Sequence, residues 1–148
     1  MDIKIAGTTE TMNAINDRIK QMIGNHSVSI GFDADKKYPD GTPVAKVAFW
    51  NEFGVPSRNQ PPRPFFRNMI AEKSPEWPDM IADLAKKNNL DGKKTMGQIG
   101  EIIAGQVKES INNFSSPALS PKTIKQKGFD KPLIDTGIMV DSVVSKVE

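Results

Sequence analysis

The chain contains no cysteine. That excludes disulfide staples, thiolate metal centres and cysteine nucleophiles. It has a single histidine, His26, so a His-rich metal site is excluded and any catalytic triad would depend on that one residue. Long apolar runs are missing as well. No stretch approaches the ~18–20 residues that cross a bilayer, and the opening Met1-Asp2-Ile3-Lys4-Ile5-Ala6 lacks the apolar core of a secretory signal. The expectation is a soluble protein that stays in a cytoplasm. Nor is there an excess of one charge: 20 Lys+Arg against 18 Asp+Glu leave +2, which argues for neither nucleic acid nor membrane as the main partner. No internal repeat and no low-complexity tract interrupts the chain.

What is present suits one domain of 148 residues. A chain of this length buries roughly 70% of its unfolded surface, enough for a real core. With 37% hydrophobic and 26% charged residues, it leaves a polar surface around that core. Proline and glycine, eleven of each, are spread along the chain and mark the ends of its segments.

Met12, Ile15, Ile19, Met22 and Ile23 recur at helical spacing, with Thr8 or Thr9 as cap and Gly24 as stop. Residues 27–32 alternate, Val28, Ile30 and Phe32 on one side, as in a half-buried strand. A turn-rich loop follows over 33–43. Thr42-Pro43 predicts a helix start, Thr as cap and Pro at the first helical position, and the helix runs to a stop at Gly54. Phe49, Trp50 and Phe53 lie on this helix and cannot all face one side, so part of its wide apolar arc is expected to meet something beyond its own core. The alternative is a helix buried on most sides within the monomer. Residues 55–63 hold Pro56, Pro61 and Pro62 and are expected to be extended.

Pro64 opens a helix with Phe65, Phe66, Met69 and Ile70 on its apolar side; Pro75 and Pro78 interrupt it, and it restarts over 78–87. After a turn at 88–92, the longest helix is expected over Thr95–Phe114, from Met96, Ile99, Ile103, Val107, Ile111 and Phe114. Gly97, Gly100 and Gly105 weaken it by roughly 1 kcal/mol each relative to Ala, which suggests close approach of the helix backbone to another element. Ser120-Pro121 starts a short helix ending at Gly128, and a last strand is expected near Val143–Val147. The fold class is α+β: several amphipathic helices with a small antiparallel or mixed sheet. Two short strands from opposite ends of the chain are marginal alone, so further strands from the 33–43 region or from a neighbouring copy are expected, a hint of oligomerisation.

Few motifs carry chemistry. Asp135-Thr136-Gly137, preceded by Leu133-Ile134, matches the triplet of aspartic proteases. That chemistry needs two facing carboxylates and a long β-rich segment after the triplet. The eleven residues after Gly137 are too few for it, so the triplet is read as a structural cap on a short terminal helix. Asp33, Asp35 and Asp40 lack the ligand pattern and closing Glu of a calcium loop. His26 follows a helix end, where a cation is favoured by the dipole. Lys122, Lys125, Lys127 and Lys131 surround the helix capped by Ser120-Pro121 and could touch DNA phosphates, but the segment has one aromatic, no arginine and no base-reading pattern. A solvated basic face is the plainer reading. No catalysis, metal or cofactor is expected.

Three stretches carry a family resemblance: Val47-Ala48-Phe49-Trp50-Asn51-Glu52-Phe53-Gly54; Gln60-Pro61-Pro62-Arg63-Pro64-Phe65-Phe66-Arg67; and Leu119-Ser120-Pro121-Lys122-Thr123-Ile124-Lys125 with Pro132-Leu133-Ile134-Asp135-Thr136-Gly137-Ile138-Met139 and Ser142-Val143. Their order and spacing resemble the tail-component and tail-completion proteins of tailed bacteriophages, over residues 28–147 with little carried by 71–95. The resemblance implies one tail-completion-like domain over 1–148. It implies a structural virion protein of the head–tail junction, made in the host cytoplasm, forming a homo-oligomeric ring, commonly of six copies, around the DNA channel. Its partners would be head connector or adaptor proteins and tail terminator or tail tube proteins, with sequence-independent contact to packaged DNA. The alternatives are a nonspecific DNA-contacting module and a different neck role as adaptor, stopper or tail terminator. Phe49, Trp50, Phe53, Pro62, Arg63, Pro64 and Phe65 are the expected interface residues, on the reasoning that aromatics and arginine are enriched at interface centres.

Overall fold

The computed structural model describes residues 24–114 and 137–148, together with 9–11, 13, 14, 17 and 20, which are helical. Most of the expected first helix, the lysine-rich 120–131 segment, and Asp135 and Thr136 lie outside the described residues. The elements in chain order are β1 (Val28–Phe32), α1 (Val44–Phe53), a 3-10 turn (Pro56–Arg58), α2 (Phe65–Lys73), a second 3-10 turn (Ser74–Glu76), α3 (Trp77–Lys87), α4 (Gly92–Asn113), α5 (Ile138–Asp141) and β2 (Val143–Val147). The class is α+β, as the sequence predicts.

Helix α4 organises the rest. Thr95, Ile99, Ile103, Val107 and Ile111 repeat every four residues along its buried side, and each buried aliphatic is worth ~1.5–3 kcal/mol relative to exposure. It begins at Gly92, three residues before the expected start, because the Asp91 carboxylate accepts from the Lys94 amide at 3.0 Å and caps it. The α2 and α3 helices pack on one part of α4 and the sheet on another. Trp77 Nε1 donates to Gln106 Oε1 at 2.9 Å, and Ser110 Oγ to the Phe65 carbonyl at 2.7 Å, pinning these helices together.

The strands pair antiparallel, from Val28↔Val147 to Phe32↔Val143. The ladder continues beyond both ends, through reciprocal Ser27–Glu148 bonds and Asp33 N–H to the Ser142 carbonyl at 2.8 Å. The 33–43 region does not supply an additional strand: among the described residues the sheet has two strands, and loop 33–43 adds only an isolated bridge, Lys37↔Pro43. Packing against α4 supplies the layer that a lone two-stranded ribbon needs.

Close approach of the sheet explains one of the three helix glycines. A Cβ on Gly100 would lie 2.6 Å from Val28 Cγ2 and 3.2 Å from Ser145 Cβ. At Gly97 the nearest atom is 3.9 Å away, and at Gly105 nothing lies within 4 Å, so the expectation fails at both. Gly105→Ala is therefore expected to raise stability by up to ~1 kcal/mol through helix propensity. Gly100→Ala gains the same propensity but overpacks the helix–sheet seam, at a cost of ~1–3 kcal/mol, for a net loss. Urea unfolding midpoints moving in opposite directions would bear this out; equal shifts would not.

Two prolines sit one residue earlier than expected. Pro43 (φ −60, ψ 133) occupies the cap position of α1 rather than its first helical position, and Pro64 does the same for α2. Thr42 does not cap α1; its amide instead donates to Asp40 Oδ1 at 2.9 Å. Segment 55–63 is not extended throughout. Pro56–Arg58 form the 3-10 turn, Asn59 is left-handed at φ 52, and Val55 and Gln60 close a small bridge.

Candidate interface site

The Asn51-Glu52-Phe53-Gly54 and Pro61-to-Arg67 stretches form one joint in space. The buried stripe of α1 is Val44, Ala48, Asn51 and Glu52. Glu52 thus turns inward, its side chain 8% exposed, and meets the start of α2. Its carboxylate accepts the amides of Phe66 at 3.0 Å and Arg67 at 3.1 Å, and Arg67 Nε at 2.7 Å. Arg67 Nη2 also donates to the Glu52 carbonyl at 3.0 Å. A carboxylate from another helix therefore does the capping that Pro64 cannot, satisfying orphan amides at the positive end of the α2 dipole.

The chain between these partners is held just as closely. Gly54 adopts φ 76 and ψ 171, and a Cβ there would lie 2.8 Å from both the Gln60 carbonyl oxygen and Pro62 N. Arg63 N–H donates to the Asn51 carbonyl at 2.6 Å. The Asn51 side chain donates to the Val47 carbonyl at 3.0 Å and accepts from Gln60 Nε2 at 3.3 Å.

Because the inward side of α1 is occupied by Glu52 and Asn51, its aromatics are turned outward. Phe49 is 60% and Phe53 50% exposed, with ring centroids 4.7 Å apart. They border an open groove of about 310 Å³, lined also by Phe32, Ala48, Phe65 and Phe66. Arg67 lies over the Phe53 ring at 4.9 Å. Trp50, half-buried, is flanked by two cations, Lys46 Nζ and Arg58 Cζ, each 5.0 Å from the ring centroid. Each such contact contributes ~0.5–1 kcal/mol at an exposed site.

The chain matches no family model, no curated protein and no solved structure. The site must therefore be read from its own chemistry.

Of the seven expected interface residues, Phe49, Phe53 and Pro62 are exposed, and Trp50, Arg63 and Pro64 half-buried. Phe65 differs: at 1% exposure it is a core side chain, edge-on to Phe32 with centroids 6.1 Å apart. Arg63 has a buried Nε with no hydrogen-bond partner, burial lowers the pKa of its guanidinium, and among the described residues no carboxylate pairs with it. Gly137, at φ 77, takes the position preceding α5, a left-handed turn that glycine accommodates without strain. The Asp135 and Thr136 cap and the contact lysines Lys122, Lys125, Lys127 and Lys131 fall outside the described residues.

Glu52, Asn51, Gln60 and Arg67 are the site residues that sequence reasoning passed over. The Val44-Ala48-Glu52 spacing was the available signal for Glu52, being one helical face at every fourth residue. Among the described residues no group of three or more His, Asp or Glu side chains could hold a metal ion, and no helix is long and apolar enough to cross a membrane.

Proposed function

We propose that this chain is a structural virion protein that completes a phage tail and joins it to the head connector, as a ring of copies around the DNA channel. The observation that carries the reading is the pair Phe49 and Phe53, held half or more exposed by a joint built from the two sequence blocks that resemble the tail-completion family. Fully burying a phenylalanine is worth ~1.5–3 kcal/mol, so a fold that buries Glu52 and leaves both rings in water forgoes a substantial gain within the monomer. Contiguous exposed apolar surface of this kind marks contact with another molecule. A ring built from heterologous contacts recovers that burial between neighbours.

The decisive biological test is a virus assembled without this polypeptide. Heads and tails are expected to accumulate separately, and added protein is expected to bind isolated tails as a ring and restore joining. Infectious particles formed in its absence would overturn the reading. Steep salt-dependent binding of the purified protein to random duplex DNA, without self-association, would favour the DNA-contacting alternative instead.

A further inference from the structure

The chain's near-neutral total hides two regions of opposite charge. Residues 46–67 carry Lys46, Arg58, Arg63 and Arg67 against one acid, Glu52, and that acid is buried in its pair with Arg67. Residues 72–83 carry Glu72, Glu76, Asp79 and Asp83 against one lysine, Lys73, which is paired with Glu72 at 3.2 Å. The acids of this second region are exposed, beside exposed Pro75, Pro78 and Ala82. Lys86 and Lys87 follow in the last turn of α3 and balance its two acids, so the acidic excess is confined to the stretch that ends at Asp83. The two regions adjoin on α2, which carries both Arg67 and Glu72, and their outer parts lie on different helices: α1 packs against α2, α5 and β1, whereas α3 packs against α4 and the adjoining 3-10 turn.

We propose that these are the two halves of one head-to-tail contact, in which the basic aromatic face of α1 on one copy receives the acidic stretch from Glu72 to Asp83, which leads into α3, on the next. This rests on the ring reading above and deepens it by naming the surfaces. A heterologous interface needs two different patches on one subunit, complementary to each other and not to themselves. The basic face would repel another basic face, and the acidic face another acidic one, so a symmetric back-to-back dimer is disfavoured while head-to-tail pairing is favoured. The apolar content fits as well. Phe49 and Phe53 offer rings, and the Pro75, Pro78 and Ala82 surface is small enough to lie against them. The cations around Trp50 then meet Asp79 and Asp83 across a contact whose surroundings exclude water.

Charge exchange tests this at exposed positions that leave the core untouched. One variant carries Lys46→Glu with Arg58→Glu, the other Asp79→Lys with Asp83→Lys. Sedimentation is run on each alone and on an equimolar mixture, in moderate salt, beside the wild type. Each variant alone is expected to associate at least tenfold more weakly than wild type, and the mixture to regain the wild-type mass by alternating the two. Variants that assemble normally, or a mixture that stays dissociated, would overturn the pairing while leaving ring formation by other surfaces intact. A wild type that is monomeric at every concentration, both free and on tails, would reject the pairing and the ring together. Restored mass in a single chain carrying all four changes provides the same answer within one protein.

Discussion

Replacing Gly54 with alanine is expected to destabilise the protein by about 2–6 kcal/mol. Two effects add. At φ 76 and ψ 171 the residue sits in a region open essentially to glycine alone, and a side chain there costs ~1–3 kcal/mol. The new Cβ would also stand 2.8 Å from Gln60 O and Pro62 N, which are backbone atoms of a chain already fixed by the Val55–Gln60 bridge. Such overpacking costs a further ~1–3 kcal/mol. Against a total stability of ~5–15 kcal/mol for a domain, the loss is a large fraction. Urea unfolding would show it as a lowered midpoint, and Gly41→Ala offers a comparison: Gly41 is also left-handed, at φ 87, but a Cβ there meets nothing within 4 Å, so only the conformational part is lost. Equal losses at the two positions would mean that the close approach at Gly54 contributes nothing.

Removing the Glu52 carboxylate is the second large effect, at about 2–4 kcal/mol for Glu52→Ala. The ion pair is the smaller part of it, because the Arg67 side chain is 56% exposed and rehydrates when its partner leaves. The larger part is the cap. Two amides at the start of α2, those of Phe66 and Arg67, lose their acceptor, and a missing cap alone costs ~0.5–2 kcal/mol. The same two amides are part-buried, and a shielded donor left unpaired costs ~1–3 kcal/mol, which sets the upper end of the range. Glu52→Gln retains one acceptor oxygen and is expected to lose about half as much. Arg67→Ala is expected to lose least of the three, about 1 kcal/mol, because the carboxylate keeps both amide partners. An order in which Arg67→Ala costs most would show the ion pair, not the cap, to be the stabilising element.

Regular elements were legible in the sequence because their causes are local. The alternation Val28, Ile30, Phe32 and the terminal Val143–Val147 run set both strands, and the fourfold repeat from Ile99 to Ile111 set α4. What escaped depended on neighbours. Glu52 stands on the buried stripe of α1 because the open end of α2 lies opposite it, and nothing in the pattern of α1 alone shows that partner. Gly100 and Gly105 are chemically identical, and only the position of Val28 and Ser145 separates the one that is needed from the one that is not. Proline marks segment 55–63 as extended, yet Pro56–Arg58 form a 3-10 turn and the Val55–Gln60 bridge closes it tightly. Phe65 is expected at the interface as an aromatic residue beside Pro62, Arg63 and Pro64. On the first turn of α2 it points to the core, and Phe53, twelve residues earlier, is the ring that reaches solvent.

One comparison tests the central claim, that the outward rings of α1 exist to contact another molecule. Phe49→Ser with Phe53→Ser removes the apolar surface from positions already half or more in water, so the urea midpoint is expected to stay close to that of wild type. Mass in solution and on isolated tails should separate the two: wild type assembling into rings, the variant remaining monomeric and failing to load onto tails. A variant that assembles like wild type would contradict the account, as would one that loses assembly only because it has unfolded.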